Sequence, residues 1–368
     1  MLKCLLKHVT DEYQINTVFR YFSDINIKSF HTNFAFNSHS PHVTSVGQLS
    51  AHPMSTLSVV IPCYNVAPYI EEAIASIFQQ TKPCHEIICV DDCSTDQTIE
   101  KIKELQNSYP DKIKLIINEK NEGANYSRNA GMLAASGEFI QFFDADDILL
   151  PHKFEYQLQL IESSTQPIDI LVAGFKKRNL AGVETRFEFE NDDPWNSLMK
   201  GRLGVTSANL FRKSAILHAG GWNENLKSSQ EYDLMFRMLR SGAHLKIDNE
   251  VVNINRERTA GSITKTNPEA KWVRFINLRV AIYNYLHENN KLSEKIKSTY
   301  INEVFNSIRI IYYYNAPLAI NLHRKYIRPI GKPAISESLS SKYLLFYKLF
   351  GFSGAQMLAT LLHPQKPI

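Results

Sequence analysis

The chain has 368 residues, of which 44% are hydrophobic and 21% are charged. This composition is typical of a globular protein with a substantial core and excludes a chain that is disordered throughout. Its five cysteines include no Cys-x-x-Cys pair, which argues against a disulfide scaffold and favours a reduced, intracellular protein. The length indicates two domains, or one large domain with additional segments.

The formal net charge of +4 conceals two regions of opposite charge. Residues 265–368 contain 15 Lys and Arg against 5 Asp and Glu, a net charge of +10, so residues 1–264 carry −6. The two regions are therefore expected to face different partners.

Residues 1–54 are predicted to be an N-terminal extension and linker. Leu5-Leu6 is too short an apolar core for a signal peptide, and residues 33–55 are rich in Ser, His, Thr, Asn and Pro without periodicity. No uninterrupted apolar run reaches about 18 residues, so no transmembrane helix is predicted. We therefore expect a cytoplasmic protein.

Strands and helices alternate in the sequence between residues 57 and 143. Runs of β-branched and apolar residues predict the strands, and apolar residues at helical spacing predict the helices between them. The predicted strands are Leu57–Ile61, Glu86–Val90, Ile113–Ile117 and Phe139–Phe143, and the predicted helices are Pro68–Gln80, one that follows a capping box of Ser94 and Gln97, and Ala124–Ala135. This order implies an α/β fold with a mainly parallel sheet covered by helices on both faces.

Acidic residues follow two of these predicted strands. Asp91-Asp92 ends the second strand, and Asp144, Asp146 and Asp147 follow the fourth. In a doubly wound sheet both clusters open onto one crevice, where a mononucleotide fits. Clustered carboxylates repel one another, and a hard divalent cation bound among them would relieve this repulsion. The alternative interpretation of the cluster is a solvated acidic turn that caps the next helix. The absence of Gly-x-Gly-x-x-Gly after the first strand argues against an NAD enzyme.

Four segments, in this order, resemble the motifs of family 2 inverting glycosyltransferases of the GT-A fold. They span about residues 57 to 150, and a looser similarity continues to about residue 264. The segments are Val59 to Asn65, Val90 to Asp96, Asn121-Glu122-Gly123 with Ser127 to Gly131, and Asp144 to Asp147. The resemblance implies a GT-A catalytic domain at residues 55–264, followed by a C-terminal helical region at residues 265–368.

The resemblance also implies the residues that bind a nucleotide-sugar donor. Tyr64 would stack on the base beside Pro62, and Asp92 would accept a hydrogen bond from a base N–H. Asp144 would lie by the ribose and the metal, and Asp146 would ligate Mn²⁺ or Mg²⁺.

Arg128 and Cys93 each leave two interpretations open. Arg128, on a predicted helix that faces the crevice, is either a second cation for the phosphates or a surface arginine. Cys93 stands where the family commonly has Gly, so a left-handed backbone there would be strained. We interpret its side chain as small and buried, rather than as a redox control.

An inverting transfer needs a base to deprotonate the acceptor hydroxyl. In the family an acidic pair precedes a Tyr-Asp-Leu at the start of a helix, and the matching pair here is Gln230-Glu231. The resemblance therefore implies Glu231 as the base, with Asp233 anchoring the helix. Capping of a helix N-terminus by acids is the alternative for both residues.

The acceptor side is expected at Gly220 to Glu224, which resembles the family's Gly-Gly-Phe-Asp-Glu loop. Trp222 would either stack on a sugar ring or fill core. The family often has a His three residues before a Ser near the end of the catalytic domain, where this chain has Thr259 to Ser262. Arg256 or Arg258 is the alternative contact for the diphosphate.

The C-terminal region is predicted to be helical from the spacing of apolar residues over 272–286, 304–314 and 343–362. Its aromatic runs and net charge of +10 favour amphipathic helices that meet an anionic membrane. The alternative is a helical subdomain with a solvated basic face. No nucleic-acid-binding motif accompanies the charge, so nucleic acid is not an expected partner.

These features together predict a metal-dependent inverting glycosyltransferase, cytoplasmic or peripheral at the inner face of the membrane. It would move a sugar from a nucleotide-diphosphate donor, with UDP favoured by the resemblance, to a glycan or lipid-linked acceptor in bacterial surface polysaccharide or lipopolysaccharide synthesis. The competing hypothesis is a non-catalytic nucleotide-sugar or glycan-binding protein of the same fold, against which Asp92, Asp146 and Glu231 argue. A nucleotidyltransferase would need a Gly-rich phosphate loop, which is missing.

Overall fold

The computed structural model describes residues 55–258, 267–336 and 339–362, so the predicted N-terminal extension lies outside the described residues. Within them, nine strands form one sheet with the order β3-β2-β1-β4-β8-β6-β9-β5, and β7 pairs with β6. The strands are β1 (Leu57–Cys63), β2 (Glu86–Asp91), β3 (Ile113–Ile117), β4 (Phe139–Phe142), β5 (Ile148–Leu149), β6 (Ile170–Arg178), β7 (Glu184–Phe187), β8 (Leu210–Arg212) and β9 (Leu245–Arg256).

The sheet is parallel in its first half and mixed in its second. β1 pairs in parallel with β2 and β4, and β2 pairs in parallel with β3, which confirms the four predicted strands. β8 then runs antiparallel between β4 and β6, while β6 and β9 are parallel. The α/β class is therefore confirmed, with a mixed sheet.

Helices cover the sheet and form the C-terminal region. The described helices are α1 (Ile70–Phe78), α2 (Thr98–Ser108), α3 (Ala124–Ala134), α4 (Lys153–Glu162), α5 (Pro194–Lys200), α6 (Lys213–His218), α7 (Gln230–Arg240), α8 (Pro268–Glu288), α9 (Glu294–Tyr312), α10 (Ala316–Tyr326) and α11 (Ser341–Leu362). The three helices predicted between the first four strands are α1, α2 and α3.

Strand β1 shows why the sheet is covered on both faces. Val59 and Ile61 belong to a core with residues of α1 and α4, whereas Val60 between them belongs to a second core on the other face. Side chains alternate between the faces of a strand, so a continuous apolar run indicates burial on both sides.

The capping box predicted at Ser94 is wrong. The helix begins at Thr98, whose amide donates to Asp96 Oδ1 (3.0 Å). Ser94 Oγ instead accepts a hydrogen bond from the Asn65 amide (3.0 Å). Ser94 therefore connects the loops after β1 and β2 rather than starting a helix.

The C-terminal helices share an apolar core with the sheet. Phe142 of β4, Ile276 of α8, Phe305 of α9 and Phe352 of α11 belong to one continuous cluster of buried residues. Among the described residues one helix, Ser341–Leu361, is long and apolar enough to cross a membrane by length and composition, in contrast to the sequence prediction. The predicted domain boundary after residue 264 lies outside the described residues.

Candidate active site

The crevice lies at the carboxyl ends of β1, β2 and β4. β1 pairs in parallel with β2 on one side and with β4 on the other, so residues after β2 and β4 flank its end. Asp92 directly follows β2, and Asp144 is the second residue after β4. Both acidic clusters therefore open at one edge of the sheet, as predicted.

Tyr64 lies in the loop after β1, next to half-buried Pro62, and is 49% exposed. The adjacent Asn65 holds this loop to the loop after β2, because its amide donates to Ser94 Oγ (3.0 Å) and its Oδ1 accepts from the Thr95 amide (2.9 Å). An exposed aromatic ring on a loop fixed in this way is suited to stacking on a flat base.

Cys93 is exposed, so the expectation of a buried side chain is wrong. The residue lies in the loop that leaves the sheet after Asp92, at the rim of the crevice. Its φ of 65° is left-handed, a conformation that costs a residue with a Cβ about 1–2 kcal/mol. The Gly that the family commonly has here would avoid this strain.

Asp92 holds the turn before α3. Its Oδ1 accepts from Asn118 Nδ2 (2.8 Å) and the Glu122 amide (2.9 Å), and its Oδ2 accepts from the Gly123 amide (2.8 Å). A carboxylate offers about four acceptor positions, so one remains for the base N–H that was predicted. Buried Asp91 beside it has an Oδ1 without a hydrogen-bond partner among the described residues. Each of the two carboxylates therefore retains acceptor capacity.

Arg128 connects α3 to the loop after β4 and to α7. Its Nη2 donates to Asp144 Oδ1 (2.9 Å), and its Nη1 donates to Asn125 Oδ1 (3.1 Å) and Gln230 Oε1 (3.2 Å). The side chain is buried, which rules out the surface interpretation. Arg128 therefore fixes Asp144 and the first residue of α7 relative to each other.

Glu231 follows Gln230 in the first turn of α7 and lies near Arg128 and Asp144. Its Oε2 accepts a hydrogen bond from Thr206 Oγ1 (2.9 Å). Burial raises the pKa of Glu231 above its usual 4.5, the Thr206 hydrogen bond lowers it, Asp144 raises it and Arg128 lowers it. A carboxylate with a raised pKa beside a cation and a second carboxylate is suited to accept a proton.

A segment that the sequence analysis did not single out, residues 205–209, positions both acids. Thr206 binds Glu231, and Ser207 Oγ accepts a hydrogen bond from the Asp144 amide (3.1 Å). Fully buried Lys153 of α4 donates to the Ala208 carbonyl (2.7 Å) and so holds this segment in place. Small polar residues before a short strand carry no periodic signal, so their role appears only in the fold.

Asp146 and Asp147, which follow Asp144 in the loop after β4, have different environments. Asp147 is fully buried and accepts from Asn255 Nδ2 (3.0 and 2.9 Å), which assigns it a structural role at the end of β9. Asp146 pairs with Arg258 (2.5 Å), and burial together with the charge of Asp144 raises its pKa.

Asp144 and Asp146 are the residues expected to bind a metal ion, and the groups around them determine which kind of metal site is possible. Within the described ranges no group of three His, Cys, Asp or Glu side chains is arranged to hold a metal ion. Asp144 and Asp146 nevertheless interact as like charges, so a cation between them would relieve their repulsion. Mg²⁺ is commonly held by one or two carboxylates together with substrate phosphates. The pair therefore fits a cation shared with a diphosphate, and does not form an all-protein cage.

Trp222 fills core in this structure. It is 2% exposed, its ring packs edge-on against Phe142 (5.1 Å between centroids), and the guanidinium of Arg128 lies 4.7 Å from its ring centroid. Asn129 accepts from the Trp222 amide (2.8 Å) and fixes the loop. Stacking of Trp222 on a sugar is therefore not supported, because both the ring and its backbone are enclosed.

Asp233, the residue expected to anchor the helix on the acceptor side, forms an ion pair within α7. It pairs with Arg237 one turn later (2.8 Å), and Arg237 Nη1 donates to the carbonyls of Ala219 and Gly221 (both 2.6 Å). Asp233 therefore acts through Arg237 on the loop before Trp222. No contact with an acceptor follows from this arrangement.

Arg256 and Arg258 lie at the far side of the acidic cluster. Both guanidinium groups lie over the ring of Tyr69, at 5.5 and 4.9 Å from its centroid. Arg258 pairs with Asp146 and is therefore next to the proposed metal ligand. The Thr259 to Ser262 segment, where the family's last metal or phosphate contact was sought, lies outside the described residues.

The family model "Glycosyl transferase family 2" matches residues 58–219. An uncharacterized glycosyltransferase of Rickettsia typhi is 31% identical over 237 residues, which cover 60% of this chain and 71% of the relative. The Escherichia coli protein WfgD, a UDP-Glc:alpha-D-GlcNAc-diphosphoundecaprenol beta-1,3-glucosyltransferase, is 32% identical over 144 residues, or 39% of this chain and 55% of WfgD. With several other curated relatives the match spans between 33% and 62% of their length.

Solved glycosyltransferase structures have the same fold. Residues 1–349 of S. aureus TarS superpose with a TM-score of 0.58 at 19% identity, covering 84% of this chain and 92% of that one. The mannosyltransferase PcManGT of Pyrobaculum calidifontis, solved with GDP-Man and Mn²⁺, gives a TM-score of 0.50 at 17% identity, covering 86% and 82%. The GT-A fold, the family model and the Rickettsia relative agree, and the chain belongs to glycosyl transferase family 2.

Proposed function

We propose that this glycosyltransferase catalyses an inverting transfer from a nucleotide-diphosphate sugar, most simply a UDP-sugar, with Glu231 as the base. One observation carries the proposal: at the carboxyl edge of the sheet, Arg128 of α3 donates to Gln230 at the start of α7 and to Asp144 in the loop after β4. Glu231 is the next residue of α7, close enough for the charges of Arg128 and Asp144 to affect its pKa. TarS has been solved with UDP-GlcNAc, and the name of WfgD specifies UDP-Glc, which supports UDP for this chain.

The donor would lie along the rim from β1 to β4. Tyr64 stacks on the base beside Pro62, and Asp92 accepts from a base N–H with its remaining acceptor position. Asp144 lies between the ribose and the diphosphate. Arg128 acts on the phosphates through Asp144 and by its buried positive charge, because its Nη atoms are already bound to protein oxygens.

Asp144 and Asp146 would hold Mn²⁺ or Mg²⁺ together with the donor. When bound, such a cation neutralises the charge on the leaving diphosphate. Arg258, which pairs with Asp146, is positioned to exchange its carboxylate partner for a phosphate when the donor binds.

The acceptor is proposed to be a glycan or lipid-linked hydroxyl, in bacterial surface polysaccharide synthesis. WfgD is named for an undecaprenol-linked acceptor, and TuaG of Bacillus subtilis, 36% identical over 105 residues, is a putative teichuronic acid biosynthesis glycosyltransferase. Contact of the C-terminal helices with the cytoplasmic surface of the membrane would bring the site to such an acceptor.

Replacement of the base tests the proposal directly. Glu231→Gln should lower turnover by about 10²- to 10⁴-fold because the amide cannot take the acceptor proton. Donor affinity, measured by calorimetry, should stay within about twofold of the wild-type value, because Glu231 is proposed to act on the acceptor hydroxyl and not to bind the donor. The measurement is initial rate with a panel of UDP-sugars and a lipid-linked acceptor, with the anomeric configuration of the product read by NMR.

Glu104→Gln, on the exposed face of α2, is the matched control and should retain full activity. Full turnover by Glu231→Gln, or a product that retains the donor configuration, would refute the assignment.

A further inference from the structure

The C-terminal helix α11 is folded back on itself at Gly351. The backbone there leaves the helical region, with φ 67° and ψ −174°. Tyr343 OH donates to Gln356 Oε1 (2.9 Å) across thirteen residues, which a straight helix would separate by about 20 Å. A Cβ placed on Gly354 would lie 2.6 Å from Phe350 Cβ, so the segments touch next to the bend. Helix α11 is therefore a hairpin of two short segments, 341–350 and 352–362.

This shape decides how α11 meets a membrane. Each segment has 10 or 11 residues and is about 15 Å long, half of the thickness of a hydrocarbon core. Tyr343 and Phe352 both pack against Phe305 of α9, so both segments are attached to the protein. In this conformation α11 cannot span a bilayer, although its composition would allow it.

A basic pocket lies at the bend. Its volume is about 540 Å³, and it is formed between α10 with its following loop and the two segments of α11. Four cationic side chains line it: Arg324, Arg328, Lys332 and Lys348. All four are exposed, none is paired with an acid among the described residues, and no described Asp or Glu lines the pocket. Four uncompensated cations around one cavity favour an anionic ligand.

The groups between these cations favour a phosphate. Gly351, Phe352 and Ser353 line the pocket at the start of the second segment, where the first helical N–H groups have no acceptor within the helix. His323 and Tyr347, which are hydrogen-bonded to each other (3.0 Å), form the wall beside them. Burial, and to a smaller extent the charge of Arg328, lowers the pKa of His323 to about 4, so the ring is neutral at pH 7 and the arginine and lysine side chains carry the positive charge of the pocket.

Exposed apolar side chains beside the pocket indicate that its ligand is a lipid rather than a soluble anion. Leu345, Leu349 and Phe350 are 53%, 62% and 58% exposed on the segment that also carries Lys348. Apolar residues next to unpaired cations are the pattern of an interfacial helix on an anionic membrane. A free phosphate would leave these apolar side chains unexplained.

We propose that this pocket binds the phosphate group of an anionic membrane lipid, while Leu345, Leu349 and Phe350 enter the bilayer interface. The proposal deepens the membrane contact proposed above, and it does not depend on sugar transfer. The hairpin would then lie on the membrane surface, with the bend directed at the head groups.

The test is co-sedimentation of the full chain with vesicles of phosphatidylcholine, with and without about one third phosphatidylglycerol, in the absence of donor and acceptor. Arg328→Gln with Lys348→Gln removes two pocket cations. Lys325→Gln with Lys342→Gln removes two exposed cations from α10 and α11, outside the pocket. The pocket pair should weaken binding by about tenfold more than the control pair, because a bound phosphate accepts charge-assisted hydrogen bonds. Circular dichroism checks that both pairs are folded.

Equal losses for the two pairs would overturn the site, because diffuse attraction to an anionic surface depends on charge alone. Thermal stabilisation of the wild type by inorganic phosphate, lost in the pocket pair while vesicle binding is unchanged, would also overturn it and assign a soluble ligand. Glu231→Gln should bind vesicles like the wild type, so loss of transfer and loss of the lipid site are separable.

Discussion

Glu231 and Thr206 show how one hydrogen bond adjusts the proposed base. The Thr206 hydroxyl stabilises the charged carboxylate and so lowers a pKa that burial has raised. Below its pKa Glu231 is protonated and cannot act as a base, so kcat should fall on the acid side. We expect this fall at a higher pH than an ordinary Glu with a pKa of 4.5 would give.

Thr206→Val should move the acid limb of kcat to still higher pH, because valine keeps the volume but removes the donor. The measurement is kcat against pH for the wild type and the variant. Thr299→Val is the matched control, since Thr299 donates to Asn196 on α5, away from the crevice. An acid limb that Thr206→Val leaves in place would show that this hydroxyl does not act on the base.

At the scale of elements, the close packing of α3 on β1 places Arg128 over the crevice. A Cβ on Gly131 would lie 2.4 Å from Val60 Cγ1 and 3.1 Å from Val90 Cγ2, so only Gly permits this approach. Gly131→Ala should lower the free energy of unfolding by up to about 2 kcal/mol, because overpacking costs about 1–3 kcal/mol and the gain in helix propensity offsets about 1 kcal/mol of it.

Urea denaturation measures this change. The double variant Gly131→Ala with Val60→Ala provides the control, because removal of the valine methyl groups makes room for the new Cβ. We expect the double variant to be more stable than the sum of the single effects predicts. Strict additivity would contradict direct contact between the two positions.

Elements with a periodic signal could be predicted from the sequence, whereas contacts between distant segments could not. Residues 57–143 alternate apolar strands with amphipathic helices, so the sheet edge carrying Asp92 and Asp144 was predictable. Thr206 and Ser207 lie in an aperiodic loop, and Trp222 offers the same aromatic signal whether it is exposed or buried. Ser94 matched a capping pattern but pairs with Asn65 in the loop after the neighbouring strand β1. These side chains obtain their partners from tertiary packing, which short-range patterns do not record.

At the scale of the whole molecule, one apolar core joins the sheet to the C-terminal helices. Arg279 of α8 illustrates the connection: it is buried, its guanidinium lies 3.3 Å from the Phe275 ring centroid, and its Nε donates to the Met199 carbonyl (3.2 Å). The same guanidinium lies 5.9 Å from the ring of Tyr232, the residue after Glu231. The basic C-terminal region therefore packs directly behind the helix that carries the proposed base.

We propose above all that the crevice binds a nucleotide diphosphate together with a divalent cation. Thermal unfolding with UDP, in Mn²⁺ or in EDTA, tests it on the wild type, on Asp146→Asn and on the exposed control Asp111→Asn. UDP at about 100 times its dissociation constant should add about 2.7 kcal/mol in Mn²⁺, with no gain in EDTA or in Asp146→Asn and the full gain in Asp111→Asn. Equal stabilisation by UDP in EDTA, or in Asp146→Asn, would contradict metal-dependent binding of the diphosphate at this site.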